Sequence, residues 1–348
     1  MRWRPLLGGC DHSVPKEPRQ SFARIMNPLI GKENCSGPEN QKKSMDRLER
    51  LEAEMEGLKS SVSELQRRIA LLQGAWKAFG HPVETSLWQR GLPVIAHGDR
   101  SRTLLPPDLS SEEEERCYQL LRRYSFRLFL RDLIQMPEGT SLAALTRYCS
   151  IKTARAYLKE LANLGIVADA EGPGYRLSRR AISSFGPTLE WYVSKIFERE
   201  FLAPVLFNVR LDHTRYGGDY DLVALVCGHL VYVEIKSSPP RGVELQAVSA
   251  FINRLRDIRP HMAIFLVDTE LRMKDKIVPL FAEALEANEH RRNAPVIARL
   301  VNEIFHIEHG IYLVNSRNGI YTNLRRCFRD FLQASGKTTP ASLAGDKE

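Results

Sequence analysis

The sequence has no apolar run close to the roughly eighteen residues that a membrane span needs. It also lacks a glycine-rich loop ending in lysine, so no ATPase activity is implied. Its start, MRWRPLLGGCDHS, has no sustained apolar region, and no signal peptide is expected. We therefore expect a protein that does not contact a membrane.

Paired or clustered cysteines are absent as well. There is no Cys-x-x-Cys pair and no His-Cys cluster, which argues against a zinc site. The six cysteines are scattered through the chain: Cys10, Cys35, Cys117, Cys149, Cys227 and Cys327. This distribution predicts reduced, buried thiols in a cytoplasmic protein.

Acidic residues are outnumbered. The 348 residues carry a formal net charge of +8, with a pI near 9.2. That balance suits a polyanionic partner such as nucleic acid. The length exceeds what one core usually organises, so two or three domains are expected.

Residues 44–74 carry an unbroken apolar repeat at spacings of three and four, whereas residues 1–43 have none and are predicted to be disordered. The repeat comprises Leu48, Leu51, Met55, Leu58, Val62, Leu65, Ile69 and Leu72. Leucine at every d position and β-branched residues at two a positions favour a parallel coiled coil. We predict a homodimer through residues 44–74; the alternative is a single amphipathic helix lying on another domain.

Residues 75–110 are rich in glycine and proline and are predicted to be a linker. Beyond it, the periodicity of TSLAALTRYCSIKTARAYLKELANLGIV predicts two helices joined at 149–152. The following VADAEGPGYRLS predicts a hairpin with a Gly-Pro-Gly tip. Helix-turn-helix plus a β-wing resembles the winged-helix family, which implies a DNA-binding domain over 111–183.

Positive charge is concentrated in this region. Residues 140–180 hold seven basic side chains against three acidic ones. Lys152, Arg155 and Lys159 lie on one face of the predicted second helix, and Arg176 lies in the wing. The resemblance implies that this helix enters the major groove and that the wing touches the backbone. The alternatives are a protein-binding winged helix and a solvated basic face.

The segment 217-GGDYDLVALVCGHLVYVEIKSSPP-240 places charge on an otherwise apolar predicted hairpin. Alternation along a strand puts Glu234 and Lys236 on one face, and Asp219 with Asp221 on one face of the preceding strand. Because burying unpaired charge is expensive, the grouping calls for a function. Two carboxylates and a lysine fit a hard divalent cation and the phosphate that it recruits. An exposed ion pair beside a turn is the simpler alternative.

The spacing Asp-x(12)-Glu-x-Lys resembles the signature of the PD-(D/E)xK, or restriction-endonuclease-like, nuclease superfamily. The resemblance implies an α/β fold with an αβββαβ core. A predicted helix at 186–201 precedes the strands, and a helix at 243–258 and a strand at 262–269 follow them. The nuclease domain is placed at 184–335, and a disordered tail at 336–348. Further strand-like runs and an Asn318-Gly319 hairpin are expected as a peripheral addition.

The resemblance assigns roles to the charged residues. Asp221 and Glu234 would ligate the metal with the carbonyl of Ile235, and Lys236 would be the catalytic lysine. Two polar residues on the flanking helices, Glu190 and Gln246, would complete the site. The superfamily's literal Pro-Asp is absent, because Tyr220 precedes Asp221; Asp219 therefore competes for the first ligand position.

The sequence thus predicts a cytoplasmic, dimeric, Mg²⁺-dependent endodeoxyribonuclease in which Mn²⁺ can substitute. A non-catalytic DNA-binding regulator with a degenerate nuclease-like fold is the alternative, and a coiled-coil assembly protein is a second. The sequence leaves open DNA against RNA, and repair against restriction or mobile-element defence.

Overall fold

The computed structural model describes residues 38–136, 139–169, 174–179, 181–288 and 295–336. The chain divides into two compact units, Met1–Gly74 and Ala75–Glu348. Most of both predicted disordered tails lies outside the described residues, as does most of the Gly-Pro-Gly tip of the predicted wing. No helix in the described ranges is long and apolar enough to cross a membrane.

The described ranges contain both helices and strands. In the described ranges the α-helices are α1 (Pro38–Phe79), α2 (Pro82–Gln89), α3 (Ser111–Leu121), α4 (Tyr124–Ile134), α5 (Ile151–Asn163), α6 (Gly186–Glu200), α7 (Leu245–Ile258), α8 (Ile277–Asn288) and α9 (Ile320–Gly336). The strands are β1 (Val94–Ala96), β2 (Val167–Asp169), β3 (Tyr175–Leu177), β4 (Val205–Leu211), β5 (Asp219–Val226), β6 (His229–Lys236), β7 (Met262–Val267), β8 (Ile297–Val301), β9 (Ile304–Ile307) and β10 (Ile311–Asn315).

The first unit contains most of α1. Apolar side chains of the predicted repeat are 52–67% exposed along this helix. They are Leu48, Leu51, Met55, Leu58, Val62, Leu65 and Ile69; the side chain of Leu72 lies outside the described residues. A helix is present over the predicted residues 44–74, and it begins at Pro38, inside the segment predicted to be disordered. Among the described residues, its apolar stripe is exposed.

Residues 75–110 were predicted to be a linker, but they contain a helix and a strand of the second unit. Residues 82–89 form α2, and β1 pairs antiparallel with β4 at the edge of the main sheet. Val83 and Leu87, one helical turn apart, are fully buried in the core of the second unit. Composition concealed this element because the helix is short and glycine and proline flank it.

The region predicted to be a winged helix contains α3, α4, a 3-10 turn at Ala143–Thr146, α5 and the β2–β3 hairpin. The first helix predicted over 140–148 is only that 3-10 turn. Ser110 begins α3 with a capping box, in which its hydroxyl accepts the Glu113 N–H and the Glu113 carboxylate accepts the Ser110 N–H. The winged-helix classification and its boundary at residue 183 stay predictions.

An eight-stranded mixed sheet forms the centre of the second unit, in the order β1-β4-β5-β6-β7-β10-β9-β8. Side chains of α6, α9 and the α3–α5 region share one hydrophobic cluster with one face of the sheet. Side chains of α2, α7 and α8 share another cluster with the opposite face. All six residues of β7 are buried, as expected for a strand covered on both faces. The second unit is therefore an α/β structure, with the predicted helix-strand-strand-strand-helix-strand order running from α6 to β7.

Two details of the carboxyl-terminal part differ from expectation. β10 is not peripheral, because it pairs in parallel with β7 inside the sheet. The predicted hairpin at Asn318-Gly319 is instead the turn that leads from β10 into α9, with the Gly319 N–H donating to Ser316. Asn-Gly supplies positive φ angles, which a strand-to-helix turn uses as readily as a hairpin does.

Two of the four cysteines in the described ranges depart from the prediction of buried thiols. Cys117 and Cys327 are buried, but Cys149 is half-buried and Cys227 is exposed in the tight turn between β5 and β6. Cys227 and Gly228 have φ angles of 50° and 78° there. A two-residue hairpin turn requires that backbone and leaves its first side chain in solvent.

Candidate active site

Asp221 lies where β5 separates from β6. The ladder between these strands extends only to the pair Leu222–Val233. Beyond it, the Asp221 carboxylate accepts the N–H of Ile235 at 2.6 Å in place of a backbone carbonyl. The side chain therefore sits in the gap between two strands, with one oxygen held by the backbone.

The regular alternation of faces breaks at Asp221. Tyr220 and Leu222 would share a face in an unbroken strand, yet they belong to opposite hydrophobic clusters. Opposite them on β4, Asn208 has a φ of 49° and is skipped in the ladder, as is Asp221. Asparagine tolerates this left-handed backbone better than most residues. Because of this irregularity, the backbone of Asp221 is not paired in the ladder with either neighbouring strand.

Glu234 is buried at the centre of the site. Its side chain is 2% exposed and accepts hydrogen bonds from Lys236 Nζ at 2.7 Å and from Arg254 Nη1 at 3.0 and 2.9 Å. Tyr232, two residues earlier on the same face, donates its hydroxyl to Glu234 Oε2, the oxygen that Lys236 does not contact. The predicted pair of Glu234 and Lys236 is thus present on one face, with Tyr232 beside it. Glu234 is buried and not exposed as the simpler alternative requires.

Glu190 approaches these carboxylates from α6. Burial and the neighbouring Glu234 carboxylate raise the pKa of Glu190 to about 7. Burial, and then Glu234 and Glu190, also raise the pKa of Asp221 well above its ordinary value. Neighbouring carboxylates therefore oppose the ionisation of both Asp221 and Glu190.

The donor set fits a hard divalent cation. A cation would relieve the repulsion that raises the pKa values of Asp221 and Glu190. Magnesium needs only one or two protein carboxylates, with waters and substrate phosphate as its other ligands. Over the described part of the chain, no group of three or more His, Cys, Asp or Glu side chains is arranged so that it could hold a metal ion by itself. Asp221 and Glu234 are the residues that would hold the ion.

The other predicted site residues approach this group to different extents. Asp219 is exposed and pairs with Arg210 at 3.3 Å, although its charge also acts on Glu190. Gln246 is exposed near the start of α7 and forms no hydrogen bond to the carboxylates in the described residues. Ile235 contributes its N–H to Asp221; the role of its carbonyl stays a prediction.

Arg254 is the site residue that sequence reasoning missed. It lies on α7 among the buried Phe251 and Ile258, spaced by three and four residues. A charged residue at such a position on an apolar stripe was the available signal, because it must find a partner when buried. Arg254 Nε is itself buried without a hydrogen-bond partner in the described residues. The site therefore keeps one unused donor beside Glu234.

The predicted DNA-contacting residues lie elsewhere in the second unit. Lys152, Arg155 and Lys159 are exposed on α5, and Ala154 and Leu158 on its other side are buried. Arg176 donates its Nε to the Asp169 carbonyl across the β2–β3 hairpin at 3.2 Å. The three α5 side chains thus form an exposed basic face, and Arg176 is partly committed to the hairpin.

Comparison with known proteins places no family on this chain. No family model matches it, and no curated protein matches it. The solved structure of Can2 from Sulfobacillus thermosulfidooxidans, in complex with cyclic tetra-adenylate, aligns at 12% identity with a TM-score of 0.40, over 72% of this chain and 62% of its own. Protein VC1899 from Vibrio cholerae aligns at 18% identity with a TM-score of 0.34, over 49% of this chain and 50% of its own. The chain spans less than two thirds of either protein, and neither match assigns it a function.

Proposed function

We propose that the protein is a metal-dependent nuclease that hydrolyses phosphodiester bonds of DNA. The observation that carries this proposal is the convergence of Asp221, Glu234 and Lys236 where β5 separates from β6. A structural ion pair explains Lys236 and Glu234, but it does not explain a second and a third carboxyl group placed against them.

In this proposal Asp221 and Glu234 hold Mg²⁺, or Mn²⁺ in its place. The bound ion would neutralise the phosphate and stabilise charge on the leaving 3′ oxygen. Lys236 is 26% exposed, so its ammonium can orient the attacking water as well as bind Glu234. The water oxygen bonds to phosphorus as the bond to the 3′ oxygen breaks.

Cleavage by the purified protein tests this function. We expect Mg²⁺ and Mn²⁺ to support cutting of at least one member of a panel of linear, supercoiled, branched and single-stranded DNA, with RNA as a further arm. EDTA should abolish it. Intact substrates across the whole panel, at protein concentrations that bind them, would contradict the proposal.

A non-catalytic DNA-binding regulator is the second candidate, and one observation favours it. Both oxygens of Glu234 already accept hydrogen bonds from cationic side chains. In a regulator this closed set would simply hold α7 against β6. Binding without cutting in the same panel is the result that this candidate predicts.

We further propose that α5 contacts the DNA backbone. Replacing Lys152, Arg155 and Lys159 with glutamate should weaken binding and reduce its dependence on salt. Each lost phosphate contact should lower the slope of log K against log salt by about 0.9. Fluorescence anisotropy over a range of NaCl concentrations measures that slope. An unchanged slope would place the DNA contacts on another surface.

The exposed stripe of α1 is proposed to form a parallel homodimer. Exposed apolar stripes of this length are rare on monomeric proteins, and burying them against a second copy is favourable. Deleting residues 44–74 should convert a dimer into a monomer, as measured by multi-angle light scattering. As matched point variants, Leu58→Lys at a d position should dissociate the dimer, and Ser60→Lys on the outer face should not. A dimeric deletion variant would move the interface elsewhere.

A further inference from the structure

A cleft separate from the candidate active site lies beside the carboxyl end of α7, against the loop between β4 and β5. Its volume is about 710 Å³. Its lining carries four arginines and a histidine but a single acid: Arg90, Arg215, Arg256, Arg259, His213 and Asp257. The cleft is therefore strongly positive, and none of these residues belongs to the predicted DNA-contacting set on α5.

The single acid in this lining is already engaged. The Asp257 carboxylate accepts the N–H groups of Arg215 and Tyr216, each at 3.0 Å. It also accepts the hydroxyl of Tyr220 at 3.4 Å. Asp257 thus holds the loop against α7, and its hydrogen-bonding capacity is largely used. Arg215, in the middle of that loop, is held through its backbone N–H, while its side chain is exposed.

Capping of the helix explains only part of the positive charge. Cations at the carboxyl end of a helix are favourable, because unpaired carbonyls carry partial negative charge there. Arg90 supplies this function, since its Nη1 donates to the Arg259 carbonyl at 2.9 Å. Arg259 ends the helix with a φ of 44° and is exposed. Arg215 comes from a different element, so helix capping does not account for its place in the lining.

An aromatic ring adjoins these charges. Tyr216 is 40% exposed, and the Arg215 guanidinium lies 5.5 Å from its ring centroid. Guanidinium groups bind phosphate oxygens, and exposed tyrosine rings stack on unpaired bases. Their combination fits a nucleic-acid strand better than it fits an isolated anion.

The cleft shares two elements with the candidate active site. Its loop continues through Gly218 into β5, which carries Asp221. Gly218 lies so close to Arg254 that an added Cβ would stand 2.9 Å from the guanidinium Nη2. Arg254 in turn holds Glu234 from the same helix that carries Arg256. A strand bound in the cleft would therefore contact the loop and the helix that position the carboxylates.

We propose that this cleft binds the phosphate backbone of the nucleic-acid strand that the carboxylates cut. The inference rests on the proposed function for the identity of the strand, but its binding measurement requires no catalysis. Phosphate chains also occur in inorganic polyphosphate, which shares the chemistry that arginines recognise. Polyphosphate lacks bases for Tyr216, so it should bind here more weakly than an oligonucleotide.

The test uses the full-length Arg215→Gln/Arg259→Gln variant in EDTA. Anisotropy of fluorescent single-stranded and duplex oligonucleotides is measured across a salt series. We expect binding to weaken about tenfold, and the log–log slope to fall by about 1.4 for single strands and about 1.8 for duplex, from two lost contacts. Arg325→Gln/Arg329→Gln, exposed on α9, removes the same charge and should leave the slope unchanged.

Three results would overturn the inference. The first is an Arg215→Gln/Arg259→Gln variant that binds oligonucleotides with the affinity and salt slope of the wild type. The second is equal weakening of oligonucleotide binding by this variant and by Arg325→Gln/Arg329→Gln, which would show an effect of net charge alone. The third is an Arg215→Gln/Arg259→Gln variant that no longer binds polyphosphate but still binds the oligonucleotides. Cleavage by the wild-type protein is scored separately, so a cleft that binds without cutting would refute the nuclease proposal and leave nucleic-acid binding by the cleft standing.

Discussion

Replacing Asp268 with asparagine is expected to destabilise the protein by about 3–5 kcal/mol, because it leaves a buried arginine without its counter-charge. Arg127 on α4 is 1% exposed and donates three hydrogen bonds of 2.8–3.0 Å to the Asp268 carboxylate just after β7. Arg131 and Ser316 also donate to this carboxylate. Chemical denaturation monitored by circular dichroism measures the loss.

A paired replacement separates charge from packing. Arg127→Met/Asp268→Leu removes both charges, and such exchanges of a buried pair for apolar residues are often neutral. We expect the double variant to be more stable than either single variant, although Arg131 stays nearby and 14% exposed. A double variant that is as unstable as the sum of the two single variants would show that the two side chains act independently.

The same carboxylate makes stability depend on pH. Burial raises the pKa of Asp268, but Arg127 and Arg131 lower it more, so the net value is below the ordinary one. A carboxyl group with a lowered folded-state pKa stabilises the fold above its unfolded pKa of about 3.9, and this contribution is lost as the pH falls through the folded value. Below about pH 4 the wild type should therefore lose stability more steeply than Asp268→Asn does.

This network has a structural consequence for the proposed function. α4 belongs to the region predicted to bind DNA, and Asp268 follows the strand beside Lys236. The Asp268 N–H also donates to the Lys236 carbonyl at 2.8 Å. The basic face of α5 and the carboxylates are therefore parts of one packed unit, and a duplex that contacts α5 would meet the site in a fixed geometry.

Local sequence patterns predicted the hairpin that carries the site. The segment 217–240 was predicted to form a hairpin, and β5 (Asp219–Val226) and β6 (His229–Lys236) lie within it. Alternation also placed Glu234 and Lys236 on one face of the second strand, where the two side chains form an ion pair. These features depend on neighbours in the chain, which is why the sequence alone was sufficient for them.

Features that depend on distant partners were not accessible in the same way. The break in side-chain alternation at Asp221 requires β5 to separate from β6. No local sequence pattern near Asn208 or Asp221 predicts it. Arg254 and Asp268 acquire their partners from elements far away in sequence. The short α2 was hidden by its flanking glycine and proline residues. In each case tertiary packing decided the outcome.

Glu234→Gln is expected to reduce the single-turnover cleavage rate by a factor on the order of 10² to 10³, as removal of one essential electrostatic group commonly does. The amide keeps the size of the side chain and an acceptor for Lys236 and Arg254, but it lacks the charge that would hold a cation. Loss of ion pairing is offset in part by weaker repulsion with Asp221 and Glu190. Thermal melts in EDTA should therefore show a folded protein, and calorimetry should show weaker Mn²⁺ binding.

Lys236→Ala and an aspartate pair extend the comparison. Lys236→Ala should slow cleavage while retaining Mn²⁺ binding, because its ammonium acts on water and on Glu234, not as a ligand. Asp221→Asn should lose both cleavage and metal binding. Asp219→Asn is the matched control on the same strand, and its exposed position predicts near wild-type values for both. If Asp219→Asn lost cleavage and metal binding while Asp221→Asn kept both, Asp219 and not Asp221 would be the metal ligand.

Single-turnover cleavage of DNA in Mg²⁺ by wild type and by Glu234→Gln, prepared in parallel and matched for folded protein, tests the central claim most directly. The proposal predicts cutting by the wild type and a rate lowered at least a hundredfold in the variant, with DNA affinity in EDTA unchanged. Equal cleavage rates for the two well-folded proteins would contradict it, because the buried Glu234 would then be a structural ion-pair partner and any cutting would come from another site.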